Sequence, residues 1–432
     1  MIKIAFIGAG STVFAKSVLG DVMLTPALCQ AHIALYDIDE QRLRESEAML
    51  NAINANCNEG RATVVAYTDR KEALRSADFV VNAIQVGGYQ PSTVVDFEIP
   101  NKYGLRQTIG DTLGIGGIFR SLRTIPVMAS MARDMEEVCP KALFINYTNP
   151  MSVLTGYMLR FTGVSTVGVC HSVQICTDAI LKGVGMTTEG VAYKIAGINH
   201  MSWLLEVKRN GEDLYPEIKR RAAELTEKHN DMVRHEIMKR FGYYITESSE
   251  HLAEYLPYFI KAQYPELIER FNIPLDEYPR RCERQIAGWE KLRDKLVENP
   301  ELTHKRTNEY ASYIMDAVVT NKPLKIGGNV INNGVITNLP AEACVEVPCL
   351  VDAMGISPCY VGRLPEQLAA LNRTNINPQL LTIEAAVTLR KENIYQAAFL
   401  DPHTSAELPI DKIVALCDDL IEAHGDYLPK YI

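Results

Sequence analysis

The chain has 432 residues, 47% hydrophobic and 22% charged, the balance of a soluble globular protein with apolar matter for one large core or two moderate ones. A formal charge of −9 argues against a nucleic-acid partner, whose affinity would come from clustered Lys and Arg, and the short run Lys219-Arg220-Arg221 reads as a solvated helix face. No apolar stretch of about 20 residues is present to span a bilayer, no charged leader with a cleavage site precedes the first strand, and ten scattered cysteines without a CxxC pair point to a reducing cytoplasm.

The first predicted element is the strand 2–7, rich in β-branched residues, followed by the turn Gly8-Ala9-Gly10-Ser11 and a helical pattern through Val18 and Leu19. The alternation continues with a strand at 32–36, a helix at 40–55, a strand at 62–67, a short helix near 71–74 and an apolar strand at 79–84. A longer helix at 120–138 leads to the strand 142–146, and a helix after Pro150 leads to the strand 165–169, which ends on Cys170-His171. Alternating β and α units predict an α/β fold, a Rossmann-like, doubly wound parallel sheet over residues 1–196. After Asn199 the pattern changes to a hairpin over 203–214 with an Asn210-Gly211 turn, then to long, charge-rich helical stretches. A mixed α+β domain is expected over 197–432, closely packed on the first because no Pro- or Ser-rich linker separates them.

Gly8-x-Gly10 lets the backbone turn sharply and approach a pyrophosphate, whose charge meets the free N–H groups at the start of the following helix, where Ser11 and Thr12 stand. Two glycines alone are a weak signal, and Val13 replaces the third glycine of the dinucleotide fingerprint; the alternative is an ordinary strand-to-helix turn. Position favours the cofactor, since the turn follows the first strand. Asp37, ending the second strand, suits both ribose hydroxyls and would repel a 2′-phosphate, which selects NAD over NADP. Asp39 competes for that role but reads better as the N-cap of the next helix.

Polar clusters gather where later strands end: Gln85-Val86-Gly87-Gly88, Gly110-Asp111-Thr112-Leu113-Gly114-Ile115-Gly116-Gly117, Asn146-Tyr147-Thr148-Asn149-Pro150, Cys170-His171-Ser172 and Gly197-Ile198-Asn199-His200. In this order, behind Gly-Ala-Gly-Ser, they resemble glycoside hydrolase family 4 over essentially the whole chain. Glu247-Ser248-Ser249-Glu250-His251-Leu252-Ala253-Glu254-Tyr255 and Asp401-Pro402-His403-Thr404 look most like that family's α-galactosidase branch. Spacing alone makes Cys170 and His200 a buried thiol and a satisfied imidazole rather than a metal pair. The resemblance implies instead that they bind a divalent cation, usually Mn²⁺, although Cys is an unusual ligand for so hard an ion.

The resemblance also implies an activity: hydrolysis of α-galactosides without the usual pair of carboxylates, an exception recognised among glycosidases. NAD⁺ oxidises C3 of the sugar, a base removes the acidified C2 proton, the metal stabilises the enediolate, the aglycone is eliminated, water adds and NADH returns the hydride. Asn149, before Pro150, is expected to hold a sugar hydroxyl; its alternative is a turn cap. Arg281 resembles a substrate-contacting arginine, the alternative being an ion pair with Glu277 or Glu283. His171 takes the place of a family aspartate that protonates the leaving group, either acting as the acid or orienting Asp111 to do so. Tyr255 is the expected base, with Glu250, His251 and Glu254 competing and a core role its alternative. An α-galacturonidase or α-glucosidase of the same family, a lactate- or malate-dehydrogenase-like oxidoreductase and a non-catalytic NAD or sugar sensor are the competing readings. The expected partners are a small α-glycoside and further copies of the chain, as a homodimer or homotetramer, with no nucleic acid and no membrane.

Overall fold

The computed structural model describes residues 1–432. Six strands, β1 (Lys3–Ile7), β2 (His32–Tyr36), β3 (Thr63–Tyr67), β4 (Phe79–Asn82), β5 (Leu143–Asn146) and β6 (Thr166–Val169), form a parallel sheet in the order β3-β2-β1-β4-β5-β6. Helices α1 (Thr12–Met23), α2 (Glu40–Asn58), α3 (Arg70–Leu74), α4 (Val94–Lys102), α5 (Gly114–Val138) and α6 (Met151–Phe161) connect them. This is the Rossmann-like architecture expected, with the strand order reversing between β1 and β4. Its strands read as continuous apolar runs because both faces are covered: Ile4 and Phe6 enter the larger core, Ala5 and Ile7 the core on the other side.

The second half extends the same sheet. After α7 (His171–Gly183) come β7 (Val191–Ile198), β8 (Met201–Arg209), the two-residue β9 (Glu212–Asp213), β10 (Leu324–Ile331), β11 (Cys344–Asp352) and β12 (Gly355–Pro358). β10 pairs antiparallel with β6, Gly328 opposite Val169, and carries the order on through β11, β7, β8 and β9, with β12 on β11. Around this antiparallel part lie the charge-rich helices, so the C-terminal region is α+β and continuous with the first sheet. No helix is long and apolar enough to cross a membrane.

Two elements differ from expectation. The principal hairpin is β7–β8, closed by Asn199-His200, while the Asn210-Gly211 turn joins β8 only to the short β9. α5 starts at Gly114, six residues before the expected helix, because Gly116 and Gly117 let its first turn lie against the backbone of Gly110 and Thr112, where any Cβ would collide. Glu346 on β11 fixes the β7–β8 turn: its buried carboxylate accepts from Ser202 Oγ at 2.8 Å and from the amides of Asn199 and Asn329 at 3.2 Å. These donors offset the cost of burying a carboxyl whose pKa burial raises.

Candidate active site

The turn after β1 is built for a close-approaching ligand. Gly8 has φ +91, and a Cβ there would stand 2.6 Å from the Ala83 carbonyl oxygen. Gly10 donates its N–H to Asp37 Oδ2 at 2.7 Å, and Asp37 Oδ1 accepts from Asp39 N–H at 2.9 Å. The acidic side chain that ends β2 is thereby held over the glycine turn, the place a ribose diol would need it. Asp39 caps α2, accepting from Arg42 N–H at 3.0 Å. Ser11 opens α1 exposed, whereas Thr12 is buried and receives the Ser46 hydroxyl at 3.2 Å, so its side chain serves helix packing.

Beyond the ends of β6 and β7, Cys170, His200 and Glu247 place one donor atom each within 4.8 Å of one another. Cys170 Sγ is 3.4 Å from His200 Nε2, and Glu247 Oε2 approaches the same nitrogen at 3.4 Å. Sulfur, imidazole nitrogen and carboxylate oxygen around one point form a donor set that fits a divalent cation. Burial disfavours the imidazolium, yet the charges of Glu247 and Cys170 outweigh it and hold His200 up to about 10. The other ring nitrogen, Nδ1, lies 3.1 Å from Tyr255 Oη. A fully buried phenol whose pKa burial drives far above its ordinary value thus supports the imidazole. With no exposed surface, Tyr255 stands behind His200 as its hydrogen-bond partner, the placement that its core alternative describes.

His251 joins this group: its Nδ1 is 3.6 Å from Glu247 Oε1 and its Nε2 4.0 Å from Asp111 Oδ1. Burial opposes charge on Asp111, but Arg120, His251 and His200 hold its carboxyl below the ordinary range. The loop bearing Asp111 is clamped by Glu254, whose carboxylate accepts the N–H groups of Thr108 and Gly110 at 2.8 Å and of Ile109 at 3.2 Å. Burial nevertheless pushes Glu254 up to about 8.

His171, at the start of α7, does not orient Asp111, a correction to that alternative. Its Nε2 meets Glu309 Oε2 at 2.8 Å, and this bond raises its pKa. Glu309 is delivered by the segment 299–309, which is pinned to α1 and α2: Asn56 Nδ2 donates to the Pro300 carbonyl at 2.8 Å, and Asp21 accepts from His304 Nε2 at 2.7 Å and Thr307 N–H at 2.8 Å. Asn149 presents a buried Oδ1 with no partner, an acceptor suited to a sugar hydroxyl, while Arg120 Nε donates to its carbonyl at 3.2 Å. Arg281 is tied to Glu250 and, at 3.2 Å, to Glu277; Glu283 instead accepts the Tyr89 hydroxyl. The ion-pair alternative is what its contacts support, not a free substrate-binding guanidinium. Sequence reasoning missed Glu247, Glu309 and Arg120; only Glu247 carried a signal, its place in the Glu-Ser-Ser-Glu-His phrase.

A dinucleotide cradle and a thiol–imidazole–carboxylate cluster at the carboxyl ends of one Rossmann-like sheet mark an enzyme, and the chain belongs to glycoside hydrolase family 4. Residues 3–186 match the model "Family 4 glycosyl hydrolase" and residues 195–404 "Family 4 glycosyl hydrolase C-terminal domain". An alpha-galactosidase of Bacillus subtilis (strain 168) is 64% identical over 432 residues, covering 100% of both chains. One from Rhizobium meliloti (strain 1021) is 35% identical over 443 residues, covering 99% of this chain and 89% of its own. A solved 6-phospho-alpha-glucosidase from gut microorganisms, in complex with NAD and Mn²⁺, shares the fold at a TM-score of 0.84 and 21% identity, covering 100% of both chains.

Proposed function

We propose that the chain is an NAD- and divalent-metal-dependent α-galactosidase acting in the cytoplasm. The observation that carries this reading is the convergence of the Gly8–Gly10–Asp37 cradle and the Cys170–His200 pair at the carboxyl ends of one sheet, an arrangement a two-carboxylate glycosidase has no use for. Full-length identity of 64% to an alpha-galactosidase supports the sugar, and ten free thiols support a reducing compartment. Family membership over both halves of the chain sets aside the dehydrogenase and sensor alternatives.

Bound NAD⁺ would accept and return a hydride at C3 of the sugar, and the cation held by Cys170 and His200 would stabilise negative charge on the adjacent oxygen. Gly8 and Gly10 leave room for the pyrophosphate, and Asp37 holds the ribose. Asn149 Oδ1 accepts a sugar hydroxyl and fixes the ring. Asp111, an anion with open surface beside the histidines, receives the C2 proton. His171, whose pKa the Glu309 hydrogen bond raises, gives its proton to the departing oxygen at C1.

The test is release of nitrophenol from p-nitrophenyl α-galactoside under reducing conditions, with NAD⁺ and Mn²⁺ each added and withheld. Release that needs both, without NADH accumulating, is expected. Release only from the α-glucoside or α-galacturonide would refute the sugar, and steady NADH accumulation would refute the hydrolase mechanism.

A further inference from the structure

Glu247 is the one member of the cation cluster that the role of Cys170 and His200 leaves unexplained. Its carboxylate is largely buried, and the charged groups facing it are His200 Nε2 at 3.4 Å and His251 Nδ1 at 3.6 Å, both beyond good hydrogen-bond distance. No Lys or Arg pairs with it; Arg234, which is tied to Asp231, reaches only its backbone carbonyl. A largely buried carboxylate faced by imidazoles at these distances keeps lone pairs free for a cation.

We propose that Glu247 is a third protein ligand of the divalent cation, joining Cys170 and His200; this rests on the metal-dependent reading above. The three donor atoms already surround one point. Tyr255 at His200 Nδ1 leaves Nε2 to face that point, the usual way a hydroxyl or carboxylate behind a histidine directs its free lone pair to a metal. Thiolate and imidazole alone make a soft pair; a carboxylate oxygen supplies the hard donor that Mn²⁺ prefers. Two anions, thiolate and carboxylate, also balance a double positive charge. Three protein donors would leave such an ion able to accept further oxygen ligands.

The backbone points the same way. His200 and Glu247 both adopt left-handed conformations, φ +62 and +64, which residues with side chains rarely take. His200 is forced into its conformation by the two-residue β7–β8 turn, and Glu247 is held by the Arg234 bond to its carbonyl. Such backbone strain persists where surrounding structure imposes it, and here it aims two side chains at one point.

The experiment uses the full-length chain stripped with EDTA and titrated with Mn²⁺ by calorimetry and with Co²⁺ by absorption. In Glu247→Gln we expect Mn²⁺ affinity to fall roughly 100-fold, the upper end of the loss seen even for residues one shell further out. The thiolate-to-cobalt charge-transfer band should persist while the ligand-field bands move. Mn²⁺ affinity within threefold of wild type, with an unchanged cobalt spectrum, would overturn the proposal. If wild type binds neither ion, the metal-dependent reading falls with it; if Cys170→Ser loses the ion and Glu247→Gln does not, only the third ligand is refuted. A crystal structure of the Mn²⁺-loaded wild type gives the same answer without a variant: a Glu247 oxygen at about 2.0–2.3 Å from the ion supports ligation, and one beyond about 3 Å excludes it.

Discussion

Replacing Gly10 by alanine separates cofactor recognition from folding. A Cβ at position 10 would stand 2.8 Å from Asp37 Oδ2 and 2.9 Å from its Cγ, so the carboxylate must swing away and release the Gly10 N–H it accepts at 2.7 Å. Losing a hydrogen bond to a charged group costs roughly 1.5–3 kcal/mol, and Asp37 would leave the position proposed for holding the ribose. At a factor of 10 for about 1.4 kcal/mol, NAD⁺ should bind roughly 10- to 100-fold more weakly. The fold should survive, because a side chain can rotate out of the way. Gly8→Ala is the contrast: the obstacle is the Ala83 backbone at 2.6 Å and φ is +91, so nothing can give cheaply. Overpacking and backbone strain together should cost about 2–5 kcal/mol of stability. Calorimetric NAD⁺ titration and urea unfolding read the two effects; a Gly10→Ala protein binding NAD⁺ within twofold of wild type would refute the reasoning.

Asp21 supplies a pH test. Burial opposes its charge, but hydrogen bonds from His304 and Thr307 outweigh it and hold the carboxyl below the ordinary 3.8. A depressed carboxyl stabilises the fold in full above that ordinary value, and the contribution is lost as pH falls through the folded value. Wild type should therefore exceed Asp21→Asn by about 2–4 kcal/mol at neutral pH, with the difference shrinking only as the pH falls below the ordinary 3.8 and through the lowered folded value, as read from thermal midpoints against pH. Glu254→Gln places an NH₂ against backbone donors that now meet carboxylate oxygens, which should cost about 1–3 kcal/mol and lower kcat by loosening the Asp111 loop; unchanged urea midpoint and kcat would exclude the clamp. Trp203→Phe leaves Asn372 Oδ1 without the indole N–H it accepts at 3.1 Å, so a loss of about 1–3 kcal/mol is expected, and a loss below about 0.5 kcal/mol would contradict it.

The parallel sheet was legible because its signals are local: apolar runs such as Phe6 to Ile7 and Val80 to Val81 carry the strand pattern within a few residues. Gly8, Gly10 and Asp37 could be placed for the same reason, since the turn after β1 and the end of β2 meet by the rules of a parallel pair. The glycines at 114–117 concealed a helix start, because a propensity argument counts their entropy and cannot see the backbone they must pass. The Asn210-Gly211 signal was real but marked the lesser turn; the one that aims His200 uses a histidine at positive φ, which no composition rule anticipates. Cys170 and His200 lie 30 residues apart and were linked only through resemblance. Glu309 reaches His171 across 138 residues through a segment that depends on Asp21 and His304, contacts invisible before folding. Tyr255 faces His200 from behind and is fully buried, a placement that its neighbours in sequence could not give because burial is decided by the fold.

The most direct measurement follows hydrogen at C2 of the sugar. Hydrolysis of an α-galactoside in D₂O, with NAD⁺ and Mn²⁺ present and the product galactose examined by NMR, should show deuterium incorporated at C2, because the proton that leaves is replaced from solvent. Product that keeps its C2 hydrogen while the glycosidic bond is broken would mean direct displacement at C1, and would contradict oxidation and elimination as the chemistry of this site.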